Sequence, residues 1–189
     1  MTIGIGPVRQ AFTVFVDHFT TSVIQSFDDI ALVGMTGQNT DETQTVIQTE
    51  TENIREGAAA LMLKYNLKQG GTSAVYLNIN SSISGEPHAI GVWVYGDGRE
   101  HWLRGVIEDA DGEKFIADFT DGTKGIYWKD EWRFVETEIS GLTAHWGNPR
   151  ATLDHPLKVN QLYLVQTRED KKSAGSIVLD ALSAIYPAE

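Results

Sequence analysis

The stretch HAIGVWVYGDGREHWLRGVIEDADGE, residues 88–113, decides the fold. Residues 90–95 are rich in β-branched and aromatic side chains, 96–98 (Gly-Asp-Gly) turn the chain, 102–109 alternate again, and Asp111-Gly112 turns it back. This pattern predicts a β-meander. In its second strand Leu103 and Ile107 point one way with Gly105 between them, while Trp102, Arg104, Val106 and Glu108 point the other. If Trp93 and Tyr95 join that second face across the turn, then Trp93, Tyr95, Trp102 and Arg104 form an aromatic and guanidinium platform of the kind that suits a sugar ring.

The same punctuation runs outward from this stretch. A third Asp-Gly turn stands at 121–122, and short alternating runs are expected as strands at 46–52, 58–67, 73–78, 114–119, 159–166 and 176–182. The run AAALMLKYNL in the second of these has good helix formers. Leu61, Leu63 and Tyr65 nevertheless alternate with Ala60, Met62 and Lys64, which favours a strand. Residues 34–45 and 141–156 are read as loops, and no helix with an amphipathic period is expected anywhere. Many short strands with hairpin spacing predict an all-β sandwich or barrel. One domain is expected over 26–189, with 1–25 as a linker or an N-terminal strand region.

Charge narrows the partners. The chain carries 15 basic against 26 acidic residues, a net charge of −11, so nucleic acid and anionic membrane surfaces are disfavoured. There is no cysteine, hence neither a disulfide framework nor a thiolate zinc site. No apolar run approaches membrane-spanning length, so membrane insertion is not expected, and the opening residues lack the flanks of a signal peptide. The expectation is a cytosolic protein or an excised piece of a longer one.

The runs GTSAVYLNI, IGVWVYGDGREHWLRGVIEDADGE, WKDEWRFVE and HPLKVNQLYLVQTREDKKSAGSIVLDALSAIY together resemble the carbohydrate-binding-type jelly-roll module found at the C-terminal side of bacterial secreted phosphodiester glycosidases and related surface proteins. The likeness spans residues 26–187. It implies a galactose-binding-like jelly-roll β-sandwich and a non-catalytic role. It also implies export from a Gram-positive type of cell and often a structural calcium ion. Calcium takes six to eight hard oxygens in irregular geometry. The positions matching the ligands of relatives are Asp28, the turn Glu56-Gly57, and Asp180. Where relatives commonly carry two consecutive Asp in the last strand, this chain has Asp180-Ala181. The alternative for Asp28 and Asp29 is that they cap a strand end facing water.

On this reading the chain binds a polysaccharide or oligosaccharide. It tethers a neighbouring domain of a parent enzyme or surface protein to that glycan, outside the cell or at its surface. The ligand-binding residues would be Trp93, Tyr95 and Trp102 as stacking rings, with Asp97, Arg99 and Arg104 gripping vicinal hydroxyls. Trp146 is a second platform or a lid in the irregular loop. For Trp93 the core reading stays open, and Trp128 and Trp132 are expected inside. Two further readings are kept: an interaction sandwich without sugar affinity, and a glycan-active hydrolase or lyase. The latter would draw on Asp109, Asp111, Glu136 and Glu138, although alternating Glu is the ordinary look of a solvated strand.

Overall fold

The structure, a computed structural model, describes residues 19–145 and 147–187. Twelve strands appear there: β1 (Phe19–Gln25), β2 (Gly34–Gln38), β3 (Val46–Glu50), β4 (Ala60–Asn66), β5 (Ser73–Ser82), β6 (Ala89–Asp97), β7 (Trp102–Glu108), β8 (Lys114–Asp118), β9 (Lys129–Glu138), β10 (Thr143–Ala144), β11 (Lys158–Gln166) and β12 (Ala174–Pro187). The only helical pieces among the described residues are three-residue 3₁₀ turns.

The strands form two six-stranded antiparallel sheets, so of the sandwich and the barrel that the strand spacing left open the chain is the sandwich, as the resemblance to jelly-roll modules implied. Sheet I has the order β3-β4-β12-β6-β9, with β1 also pairing β12, and sheet II the order β10-β8-β7-β11-β5-β2. Period-two alternation explains the core. Sheet I turns Leu61, Leu63, Tyr65, Ile90, Val92, Val94, Ile177 and Leu179 inward. Sheet II answers with Val75, Leu77, Leu103, Ile107, Phe115, Leu162 and Leu164.

Two features depart from the sequence reading. First, β6 and β7 do not pair. Asp97-Gly98 carries the chain from sheet I to sheet II, and Asp121-Gly122 carries it back to β9. Only Asp111-Gly112 closes a hairpin, β7 to β8. The reason is local: each turn is nucleated by an Asp carboxylate accepting amides just ahead of it, Asp97 from Arg99, Asp109 from Asp111 and Glu113, Asp121 from Thr123 and Lys124. That chemistry reverses a chain without choosing its next sheet. Second, residues 34–38 are a strand, not a loop, and within the loop expected at 141–156 residues 143–144 form β10, paired to β8. β2 is an edge strand whose register with β5 runs from Gly34 opposite Asn78 to Gln38 opposite Ala74, and an edge needs backbone pairing more than apolar side chains.

β12 contains a bulge between Asp180 and Ser183, where Ala181 adopts φ 43°. The extra residue shifts the alternation, so that Leu179 before it and Leu182 after it both enter the core while Asp180 faces outward.

Candidate functional site

The crossing between sheets divides the platform expected from the sequence. Trp93 and Tyr95 stand on the outer face of sheet I, Trp102 and Arg104 on the outer face of sheet II. Asp97 and Arg99 lie at the end of the sandwich between them. Asp97 is consumed internally: one oxygen accepts the Tyr65 hydroxyl at 2.5 Å and the Ser176 amide at 3.0 Å, the other the Arg99 amide. Trp146 lies outside the described residues.

On sheet I the strand pairing places Trp93 opposite Phe134 and Tyr95 opposite Trp132, with ring centroids 5.2 and 5.5 Å apart. Trp132 is therefore on the outer surface, half-buried, instead of in the core; its position follows from the alternation with Val135, which faces inward opposite Val92. Trp128 is in the core as expected, its indole donating to the Val94 carbonyl. Residues 51–59 lie against the aromatic strip of sheet I. The Arg55 guanidinium stacks 4.2 Å from the Trp93 ring, and Asn53 Oδ1 accepts from the Trp132 indole at 3.0 Å.

The residues proposed for calcium hold that segment in place. Asp28 Oδ1 accepts the amides of Ala58 and Ala59 at 2.7 and 3.0 Å, and Asp180 Oδ2 those of Arg55 and Glu56 at 2.8 and 3.0 Å. Gly57 has φ +69°, and a Cβ there would sit 2.6 Å from Asp28, so only glycine lets the turn approach this carboxylate. Asp180 and Asp28 thus hold the two sides of the turn that contains Glu56 and Gly57. Asp180 Oδ1 is buried without a partner, and burial, with a smaller contribution from the Glu56 charge, pushes the Asp180 carboxyl above its ordinary pKa. An unpartnered buried oxygen beside a second carboxylate fits a hard cation. Among the described residues no three His, Cys, Asp or Glu side chains converge, so an ion here would have to complete its shell with backbone carbonyls.

The outer face of sheet II is built differently. β5, β11 and β7 lie side by side, so Tyr76, Tyr163 and Arg104 form a row, flanked by Trp102 and Val165 on one side and Asn78 and Gln161 on the other. The Tyr76 and Tyr163 rings are 5.4 Å apart. The Arg104 guanidinium lies 3.8 Å from the Trp102 ring centroid, and its Nε donates to Asp118 at 2.5 Å. Gly122 packs against the same indole, where a Cβ would sit 3.3 Å from the ring. Trp102 is accordingly not a bare ring: a guanidinium covers it, and the plane offered outward is that of Arg104, 18% exposed. Around the row stand Gln38, which accepts from the Tyr76 hydroxyl, the Gln161–Asn78 amide pair, and Glu108 joined to Lys158 and Asn160. Among the described residues three buried side-chain polar atoms have no hydrogen-bond partner. Two of them, Trp102 Nε1 and the Tyr163 hydroxyl, are on this face. Burial pushes the Tyr163 hydroxyl up to about 12.

Tyr76, Tyr163, Gln38, Asn78 and Gln161 were missed from the sequence. The signal was present in SAVYLNIN and NQLYLVQ, where amides and tyrosines alternate with Val75, Leu77, Leu162 and Leu164. The carboxylates weighed for catalysis do not face one another across a cleft. Asp109 caps the hairpin turn, Asp111 is exposed there, and Glu136 and Glu138 are exposed on the outer face of sheet I.

Among solved structures the chain is similar to a family 11 carbohydrate-binding module from Clostridium thermocellum in complex with a β-1,3-1,4-mixed-linked tetrasaccharide, at TM-score 0.60 and 11% identity over 89% of this chain and 97% of that one. It is similar to the family 11 module of the cellulosomal cellulase Lic26A-Cel5E of the same organism, at TM-score 0.57 and 10% identity over 89% and 95% of the two chains. A third similarity is to a structure addressing the promiscuous specificity of carbohydrate-binding modules of the β-sandwich superfamily, at TM-score 0.54 and 12% identity over 85% and 60%. At these identities the likeness is one of fold: the chain has the β-sandwich of carbohydrate-binding modules. No family model and no curated protein matches it.

Proposed function

We propose that this chain is a non-catalytic carbohydrate-binding domain whose glycan lies on the outer face of sheet II. The observation that carries the reading is the row of Tyr76, Tyr163 and Arg104 beside an amide ladder, with two buried polar atoms of that face left unpaired. A buried polar group without a partner costs about 1–3 kcal/mol, so each such group calls for an explanation, and a bound ligand supplies one. Planar rings and a planar guanidinium meet the C–H faces of sugars, and amides meet their hydroxyls. The charges on the face are paired, Arg104 with Asp118 and Lys158 with Glu108, which favours a neutral glycan. The role is tethering: linked to an enzyme or surface protein outside the cell, the domain raises that partner's concentration at its polysaccharide.

A calcium ion is proposed as a structural component, held by Asp180 and Glu56 with backbone carbonyls completing its shell, while Asp28 fixes the turn at Gly57 through the Ala58 and Ala59 amides. When bound it would neutralise these carboxylates and fix residues 51–59 to sheet I.

Affinity electrophoresis in gels containing mixed-linkage β-glucan, galactomannan, xylan or polygalacturonate tests the reading. At least one neutral polysaccharide is expected to retard the protein, and Arg104→Ala to weaken retention about tenfold or more, the scale of one lost charge-assisted hydrogen bond. Retention unaffected by Arg104→Ala and Tyr76→Ala would remove sheet II as the site. Mobility unchanged in every gel would favour the interaction sandwich without sugar affinity.

A further inference from the structure

Where the connection from β8 to β9 (residues 119–128) passes β9, the sandwich holds a cleft of about 260 Å³ that the sheet II face does not include. β9 is the edge strand of sheet I, and Arg133 sits opposite Val94, at a position whose side chain points toward the space between the sheets. An apolar residue there would help to seal the edge. The guanidinium keeps it open to water, and Tyr127 stands at its mouth, 52% exposed. Trp128 lies edge-on to Tyr127 at 5.6 Å and, 5% exposed, closes the cleft from the core side.

We infer that this cleft is a second saccharide subsite, taking a single neutral pyranose ring, and the inference rests on the carbohydrate-binding reading above. Tyr127 is the one strongly exposed large aromatic on this edge; the Arg133 guanidinium lies 5.0 Å from its ring centroid, so the ring face turned away from Arg133 is the stacking surface. Arg133 donates to the Tyr127 hydroxyl at 2.6 Å and, through Nε and Nη2, to Glu131. That uses three of its five N–H groups and leaves two for a ligand. Asp121, which also lines the cleft, accepts its three hydrogen bonds through Oδ1, so Oδ2 remains as an acceptor. Donors, an acceptor and an aromatic face around one cavity are the complement of a ring bearing adjacent hydroxyls. Arg133 is balanced by Glu131 and Asp121 stands close by, which disfavours an anion. The volume falls below the roughly 300–1,000 Å³ of sites for drug-sized ligands, which sets the occupant at one sugar residue. The loop that separates this cleft from the sheet II face is shared: Gly122 rests on Trp102, while Thr120, Asp121 and Gly125 line the cleft.

The test is a titration of the ¹⁵N-labelled protein with D-glucose, D-galactose and D-mannose in turn, following the Trp128 indole N–H and the Gly125 and Tyr127 amides. At least one sugar is expected to shift these signals saturably, in the wild type and in Arg104→Ala alike. Tyr127→Ala, a surface change, is expected to weaken that binding at least tenfold while polysaccharide retention by the sheet II face persists. Signals that stay still with all three sugars, or shifts that survive Tyr127→Ala, overturn the inference. The two readings fail separately. Retention lost in Arg104→Ala with no monosaccharide shift leaves only the face, and a monosaccharide shift without polysaccharide retention leaves only the edge.

Discussion

His101 is a histidine kept neutral by its surroundings. It is 1% exposed, set against the Tyr65 ring, with its nitrogens within 3.3 Å of Gln166 and 3.2 Å of Ser173. Burial, helped by the Arg99 and Lys171 charges, lowers its pKa to about 4. The unfolded chain, at its ordinary value near 6.5, therefore takes up the proton first. The stability held above about pH 6.5 is expected to fall by about 3 kcal/mol as the pH drops towards 4. Urea unfolding of the wild type and His101→Asn across that window checks this. The wild-type loss should exceed that of the variant, and parallel curves would contradict it. Nothing in the sequence marked His101 in this way, because its neutrality comes from burial against groups distant along the chain, Tyr65 and Gln166 among them, and from the Lys171 charge. Asp180 was legible as a residue, since it breaks an apolar run in the last strand. That one of its oxygens is unpaired was not legible, because the partners of the other come from residues 55 and 56.

Among the elements, β12 does most to organise sheet I, pairing β1, β4 and β6 along its length. Its bulge depends on Ala181 at φ 43°, a conformation that costs an L residue about 1–2 kcal/mol and glycine little. Ala181→Gly is expected to raise stability by about 0.5–1 kcal/mol, and Ala181→Val to lower it, in equilibrium denaturation. A destabilised glycine variant would contradict the assigned backbone. Strand existence was readable wherever one face is apolar, as in residues 60–66 and 158–166. β2 escaped because an edge strand is defined by pairing with β5 and not by composition. The bulge escaped because the alternation on either side of Ala181 looks regular until both Leu179 and Leu182 must enter one core. Calcium belongs to this scale too, since it would act on residues 51–59 as a unit. At a hundredfold excess over its Kd it would add about 2.7 kcal/mol, a rise in Tm of roughly 5–10 °C that EDTA reverses and Asp180→Ala abolishes. A Tm indifferent to both calcium and EDTA would contradict the proposal.

For the whole molecule, the sandwich was legible because alternation and turn spacing are local, and the site only in part. The row of Tyr76, Tyr163 and Arg104 joins three strands from distant parts of the chain, and a turn such as Asp97-Gly98 does not announce whether the next strand pairs or crosses. Trp93 and Trp102, nine residues apart, thereby end on opposite outer faces. The central claim is that glycan binds sheet II, and it is tested most directly by mapping amide shifts of the ¹⁵N-labelled protein with an oligosaccharide cut from whichever polysaccharide retards it. The account predicts shifts centred on β5, β7 and β11, including Tyr76, Arg104 and Tyr163, with sheet I silent at Trp93 and Tyr95. Shifts centred on Trp93, Tyr95 and residues 51–59, with sheet II unmoved, would contradict it.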